Sequence, residues 1–279
     1  MIIQNTIKQA SLVLKNNKIP SHQLDAEIIL SKIMGVTREF LLTKNNLNIS
    51  KEMINKYNHA IKRRTKREPI AYIIGEKEFW SQNFIVNKAT LIPRPETELL
   101  IYKIVNFFKN KKISILDIGT GSGCILLSLL KELKLSSGIG IDISSKAIKT
   151  AIANSRKMNI FHRSSFKVSD VENFYSGKYD LIISNPPYIP LRDLKNLSRD
   201  IRNYEPSVAL NGGVDGLDLL KKVIYKSNRL LKKSGLLAIE IGNYQYHKVS
   251  NLLKKNYYRE TYKEFDYNSN VRCIISTKM

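Results

Sequence analysis

Ile113-Ser-Ile-Leu-Asp-Ile-Gly-Thr-Gly-Ser-Gly123 is an apolar strand pattern running straight into a glycine-rich turn, and a helical pattern from Cys124 to Leu133 follows it. Strand, glycine turn and helix in that order open a parallel, doubly wound α/β sheet. Gly119, Gly121 and Gly123 permit a sharp turn that a ligand can approach closely, because no Cβ stands in the way. Dinucleotide-binding folds use the same device, so the turn alone leaves the ligand open. About 20 residues further on, Gly138-Ile-Gly-Ile-Asp142 reads as a second strand ending in a carboxylate, at the spacing that serves the hydroxyls of a ribose. Asp142 also reads as a helix N-cap in Asp-Ile-Ser-Ser, a role that Ser144 could fill instead.

From this unit the pattern extends in both directions. Strands are predicted near 113–118, 138–142, 164–168, 179–184 and 235–241, with a closing pair near 258–265 and 271–278. Upstream, residues 2–67 carry apolar positions at helical spacing: Ile3, Ile7, Ala10 and Leu14, then Leu24, Ile28 and Ile29 behind a Ser21 cap, then Met53, Tyr57, Ala60 and Ile61 behind Ser50. Between these regions, Glu78 to Val86 alternates like a hairpin. The 279 residues therefore divide into a helical domain over 1–75, a hairpin linker over 76–95 and an α/β domain over 96–279.

Lys and Arg number 46 against 24 Asp and Glu, a formal charge of +22 that invites a polyanionic partner. The lysines are spread along the chain, however, and the richness in Asn, Ile and Tyr fits compositional drift equally well. Lys62-Arg-Arg-Thr-Lys-Arg67 is the one dense basic cluster. Cys124 and Cys273 suggest neither a disulfide framework nor a metal site and are expected to be buried and inert. His22, His59, His162 and His247 lack metal-ligand spacing, so no metal is inferred. No apolar run reaches the ~18 residues of a membrane helix, and the first residues lack the order of a signal peptide, so a cytoplasmic protein without membrane contact is expected.

The fourth strand ends in Asn185-Pro-Pro-Tyr188. Two prolines remove two backbone donors and force a rigid exit from the sheet with carbonyls facing outward. An amide or exocyclic amine nitrogen is a poor nucleophile until acceptors bind its N–H groups. The Asn185 side-chain oxygen and the Pro186 carbonyl offer that pair, and Tyr188 offers a flat face. Asp117, just before the glycines, is placed for an ammonium group. Together these features resemble the class I S-adenosylmethionine-dependent methyltransferases.

A more specific resemblance spans nearly the whole chain. Arg67-Glu-Pro-Ile-Ala-Tyr-Ile-Ile-Gly75, Glu78-Phe-Trp80, Ala89-Thr-Leu-Ile-Pro-Arg-Pro-Glu-Thr-Glu98, Asn185-Pro-Pro-Tyr188, Tyr204-Glu-Pro-Ser-Val-Ala-Leu210 and Gly213-Val-Asp-Gly-Leu-Asp218 are similar to the PrmC/HemK family of release factor glutamine methyltransferases. The resemblance implies a Rossmann-like, seven-stranded, mostly parallel sheet with an antiparallel last strand, preceded by a small helical domain that docks the release factor. It implies transfer of a methyl group from S-adenosylmethionine, leaving S-adenosylhomocysteine, to the glutamine of the Gly-Gly-Gln loop of class I release factors; a monomer that requires no nucleic acid is expected. Cofactor roles would then fall on Asp117, Gly119, Thr120, Gly121, Ser122, Gly123, Asp142, Asp170, Val171 and Asn185, and substrate roles on Asn185, Pro186, Pro187, Tyr188, Arg94 and Glu205. Arg94 and Glu205 read equally as an ion pair or loop anchor. Val171 departs from the aromatic residue often found there, which would weaken stacking on adenine. The same Asn-Pro-Pro-Tyr motif serves enzymes that methylate adenine or guanine in DNA or RNA, and that is the alternative activity; the helical, aromatic-poor first domain speaks against it. A cofactor-binding protein without catalysis is the third reading, opposed by the intact motifs.

Overall fold

Ile3, Ile7, Ala10 and Leu14 form the buried face of α1 (Ile3–Asn16), which packs with α2 (His22–Met34), α3 (Arg38–Thr43), α4 (Lys51–Thr65) and α5 (Ile70–Ile74). The computed structural model describes residues 1–266 and 268–279. At the centre of this core lies Tyr57, whose ring is fully buried and whose hydroxyl donates to the Ala26 carbonyl at 3.0 Å. Ser50 caps α4 by accepting the Met53 amide at 3.3 Å, and Thr37 caps α3. Ser21 makes no cap bond: its backbone, at φ −83° and ψ 23°, is outside the extended region that an N-cap adopts, and its hydroxyl donates to Asp25 at 2.9 Å.

This helical unit comprises Met1–Glu76 and, from much later in the chain, Ser198–Tyr204. Arg64 explains the membership. It is buried on α4 and donates to Asp25 at 2.7 Å, to Asp200 at 2.7 Å and to the Glu68 carbonyl at 3.0 Å. Arg63 forks onto Glu68 at 2.9 and 2.8 Å. The middle of the dense basic cluster is thus spent on internal carboxylates.

The second unit, Lys77–Leu197 and Glu205–Met279, begins within the hairpin of β1 (Glu76–Phe79) and β2 (Gln82–Ile85). Its two-residue turn, Trp80-Ser81, has φ of 50° and 53°, the left-handed pair that a type I′ turn needs to match strand twist. The remaining elements are α6 (Thr97–Phe108), β3 (Ser114–Ile118), α7 (Cys124–Glu132), β4 (Ser137–Asp142), α8 (Ser145–Lys157), β5 (Ser164–Val168), β6 (Tyr179–Ser184), α10 (Asp218–Leu230), β7 (Leu231–Glu240), α11 (Tyr246–Lys255), β8 (Tyr258–Phe265) and β9 (Val271–Lys278); α9 (Arg199–Tyr204) is the helix that joins the first unit. Sheet order is β5-β4-β3-β6-β7-β9-β8. The first five strands pair in parallel and β9 runs antiparallel between β7 and β8. Strand β7 starts at Leu231, earlier than the expected 235, because it leaves α10 without a loop.

Alternation along the strands feeds two cores. Leu116, Ile182, Leu237 and Ile239 pack with Leu220, Val223, Ile224 and Val249 of α10 and α11. Ile115, Leu181 and Ile183 pack with Leu100, Ile104, Leu126 and Leu130 of α6 and α7. Both sheet faces are therefore covered, and polar side chains needed for chemistry gather at the strand ends. Strand order reverses between β3 and β6, which opens a crevice at their carboxyl ends.

Removing one partner of a buried ion pair strands the others, so Arg64→Ala is expected to destabilise the helical unit by about 3–5 kcal/mol. Urea denaturation monitored by peptide-resolved hydrogen exchange checks this, with the loss concentrated in α2, α4 and 198–204; uniform or absent loss would show that the triad carries little.

Candidate active site

The crevice holds a cavity of about 400 Å³, walled by the glycine loop, the ends of β4, β5 and β6, and the loops at 89–97 and 206–219. Amides of Gly119 and Thr120 both donate to the Ile141 carbonyl at 2.9 Å, tying the loop to the end of β4. Gly123 enters α7 at φ 80°, and a Cβ there would stand 3.2 Å from the Ala151 and Leu127 side chains. The loop is held from behind by Asn154, fully buried on α8. Its amide donates to the carbonyls of Ser122 at 2.9 Å and Ile85 at 3.0 Å, while its oxygen accepts the Ile85 amide at 2.7 Å. One side chain thereby couples the hairpin to the glycine loop.

Asp142 lines the cavity. Its oxygens accept the Gly121 amide at 3.0 Å and the Ser144 amide at 2.9 Å. Ser144 is the cap of α8, accepting the Ala147 amide at 3.2 Å. Of the two readings of Asp142, the cap is therefore taken by its neighbour. Ile143, beside it and 53% exposed, gives that wall an apolar face that the sequence patterning did not single out. Gly119, Thr120, Gly121, Ser122, Asp170 and Val171 also line the cavity, whereas Gly123 stands behind the wall.

Asp117 sits elsewhere than at the surface of the cavity. It is fully enclosed beneath the loop, accepts the Thr120 hydroxyl at 2.6 Å on one oxygen, and on the other no donor reaches it among the described residues. Burial raises its carboxyl to about 7; the Thr120 bond opposes that rise, the charge of Asp142 adds to it, and the Leu126 amide, near but outside hydrogen-bond geometry, opposes it weakly. Thr120, which does face the cavity, stands between. Cys124 is half-exposed on the wall rather than buried, but its thiol is enclosed and pushed up to about 12, so it is no nucleophile.

At the end of β6, Asn185 and Pro187 line the cavity while Pro186 and Tyr188 do not. The Asn185 amide donates to Thr97 at 3.2 Å. No donor among the described residues occupies the Asn185 side-chain oxygen or the Pro186 carbonyl. The Tyr188 ring turns away to the Arg272 guanidinium, 5.3 Å from its centroid, and its hydroxyl accepts from Arg272 at 2.9 Å. The strap is fixed by Gln245, which donates to the carbonyls of Tyr188 at 2.9 Å and Gly216 at 3.2 Å. Gly216 is required there, since at φ 76° a Cβ would lie 2.4 Å from the Tyr188 oxygen. Glu205 is buried and anchors the facing loop, accepting from Arg94 at 2.6 Å and from the Ile92 amide at 3.2 Å. Arg94 itself lines the cavity.

Comparison with known proteins gives the family. Residues 5–75 match the model of the PrmC N-terminal domain, and residues 109–278 match a methyltransferase domain. A release factor glutamine methyltransferase of Buchnera aphidicola subsp. Schizaphis graminum is 39% identical over 285 residues, covering 100% of both chains. The chain belongs to the release factor glutamine methyltransferase family. Another member of the family, from Caulobacter vibrioides, is 36% identical over 267 residues, covering 95% of this chain and 92% of its own. Among solved structures, a methyltransferase from Pyrococcus furiosus superposes with a TM-score of 0.54 at 15% identity, covering 70% of this chain and 88% of its own. The ribosomal protein L11 methylase of Lactobacillus delbrueckii subsp. bulgaricus gives 0.51 at 19%, covering 70% and 84%. These likenesses extend the fold of this family member to methyltransferases of distant sequence.

The raised carboxyl of Asp117 has a consequence for stability. Between pH about 4 and 7 the folded protein holds a proton that the unfolded chain has released, so Asp117 makes stability fall as pH rises through that window, with the full penalty present above it. Asp117→Asn is expected to flatten this part of the profile and to stabilise the ligand-free protein at pH 8 relative to the parent. Thermal unfolding from pH 4.5 to 8 measures it; parallel profiles would mean that the carboxyl titrates normally.

Proposed function

We propose that this protein transfers a methyl group from S-adenosylmethionine to the side-chain amide nitrogen of the glutamine in the Gly-Gly-Gln loop of class I peptide chain release factors. The pair of unoccupied acceptors at the end of β6, the Asn185 oxygen and the Pro186 carbonyl, carries this reading. A primary amide has two N–H groups, and two rigid acceptors beside a nucleotide-sized cavity suit it.

The residues present fit the cofactor. The cavity of about 400 Å³ has room for a nucleoside joined to an amino acid, and Ile143, Val171, the Asp142 carboxylate and the glycine loop all line it. Asp142 would hold the ribose, Ile143 and Val171 the adenine with Asp170 at its edge, and the loop amides at the start of α7 the carboxylate. Beneath Thr120, the buried Asp117 with its free oxygen supplies the negative charge that an ammonium group requires. When bound, the sulfonium provides an already activated methyl group.

Catalysis by this chain is then mostly alignment. Asn185 and Pro186 accept the two N–H bonds, draw the nitrogen out of conjugation and stabilise the charge that develops on it. Pro187 and the Gln245 clamp keep those acceptors from moving. Arg94, steered by Glu205, faces the entering loop, where glycines beside the target leave room for a bare backbone. The proton leaves to water. The helical unit provides docking area for the body of the release factor. Transfer requires no nucleic acid and the enzyme acts as a cytoplasmic monomer; among the described residues no helix is long and apolar enough to cross a membrane. The +22 charge suits methylation of a nucleic-acid base as well, but the helical, aromatic-poor first domain does not, and Arg63 and Arg64 of the basic cluster face internal carboxylates.

Mass spectrometry of a Gly-Gly-Gln release factor incubated with the protein and labelled cofactor, without RNA or DNA, should find one methyl group on that glutamine. Asn185→Ala should lower kcat by roughly 10² or more while cofactor binding stays close to the parent. Label recovered on adenine or guanine, with the release factor unmodified, would reject the proposal.

A further inference from the structure

A carboxamide is nearly symmetric in shape, and half a turn exchanges its acceptor for its donor. Asn185 receives a substrate N–H in only one of those two states. Behind it lies a chain of side chains that fixes which. Asn185 Nδ2 donates to Thr97 Oγ1 at 3.2 Å, and Thr97 donates to Glu240 Oε2 at 2.6 Å. Glu240, the last residue of β7, is 1% exposed. Its other oxygen accepts the Tyr188 hydroxyl at 3.3 Å and lies 3.7 Å from Arg272.

The direction of these bonds follows from what each group has to give. An ionised carboxylate only accepts, so Thr97 spends its single proton on Glu240. Toward Asn185 the threonine oxygen then offers lone pairs alone, and Asn185 must turn its NH₂ inward and its oxygen to the cavity. Burial pushes the Glu240 carboxyl up, with the charge of Glu96 adding to it, while the bond from Thr97, the charge of Arg272 and the bond from Tyr188 favour the ionised form.

We propose that Thr97 and Glu240 are positioning residues that set the polarity of the Asn185 amide, with Tyr188 and Arg272 holding the far end of the relay. The proposal rests on the reading of Asn185 as acceptor for the glutamine amide. Glu240 is buried away from the cavity, and Thr97, which lines the cavity wall beside Asn185, acts in this relay through the Asn185 amide. Glu240→Gln keeps shape but adds a donor, which lets Thr97 turn its proton toward Asn185 and invert the amide.

Thr97→Val, Thr97→Ser and Glu240→Gln test it, assayed with whole enzyme, cofactor and release factor. Thr97→Val should lower kcat roughly 10- to 100-fold, as orienting partners behind a reactive group do, with KM for the release factor and cofactor Kd changed by less than about threefold. Thr97→Ser should retain most of the parental rate and Glu240→Gln should lose it. Parental kcat in Thr97→Val, or a loss confined to KM, overturns the proposal. A second measurement needs no substrate: the Asn185 side-chain NH₂ signal in ¹⁵N spectra, assigned by its loss in Asn185→Asp, should exchange slowly in the parent and fast in Thr97→Val. Equal exchange in both also overturns the relay, whereas a parent that leaves release factor unmethylated while showing the slow signal overturns the function and leaves the relay standing.

Discussion

The register of β3 against β6 is the constraint on which the site depends. Ile118 pairs with Ser184, and the buried Ser184 hydroxyl donates to the Ile118 carbonyl at 2.7 Å. The very next residues are Gly119 and Asn185, so the glycine loop and the acceptor motif leave the sheet side by side from one locked pair. A slip of one residue would turn every apolar side chain of β6 to the opposite face, which the cores on both faces forbid. Hydrophobic packing along the strands thus sets the separation between the cavity wall and the acceptors, without any direct bond between the two loops.

The parts of this arrangement that were legible in the sequence are those encoded locally. An apolar run with a glycine turn, a carboxylate closing the next strand and paired prolines after the fourth all declare themselves within a dozen residues, and the strands other than β7, which begins early at Leu231, lie close to where alternation put them. Asn154, Glu240, Gln245 and Arg272 declared nothing, and Thr97 stood in the Ala89–Glu98 motif without a role. Each is an ordinary polar residue in its own element, and Thr97 meets Glu240 across 143 positions of chain. Even the prolines give only the rigidity of the strap, whereas the polarity of Asn185 is decided by groups on α6, β7 and β9. Tyr188 illustrates the limit from the other side: its presence in the motif suggested a flat face for the substrate, yet its ring and hydroxyl turn back to Arg272 and Glu240.

Charge was misleading for a similar reason. In a linear reading, Lys62 to Arg67 is a block of positive charge at the end of a helix. In three dimensions Arg63 and Arg64 are partners for Glu68, Asp25 and Asp200, and Arg67 donates to the Lys18 carbonyl at 2.8 Å. The cluster therefore projects less field than its own residues suggest, whereas the formal +22, which already subtracts those carboxylates, resides on the other lysines and arginines of the chain.

Asp200 carries a further implication, concerning the order in which the polypeptide is made. The helical unit is encoded almost wholly by residues 1–76, and domains generally fold as they emerge from the ribosome. Asp200 and its flanking helix emerge only after β3, β4, β5 and β6 have been synthesised. Until then Arg64 has Asp25 but not its second carboxylate, and the nascent helical unit waits incomplete. Its final closure is a late event of biosynthesis, timed by a segment that lies between the acceptor motif and the loop anchored by Glu205.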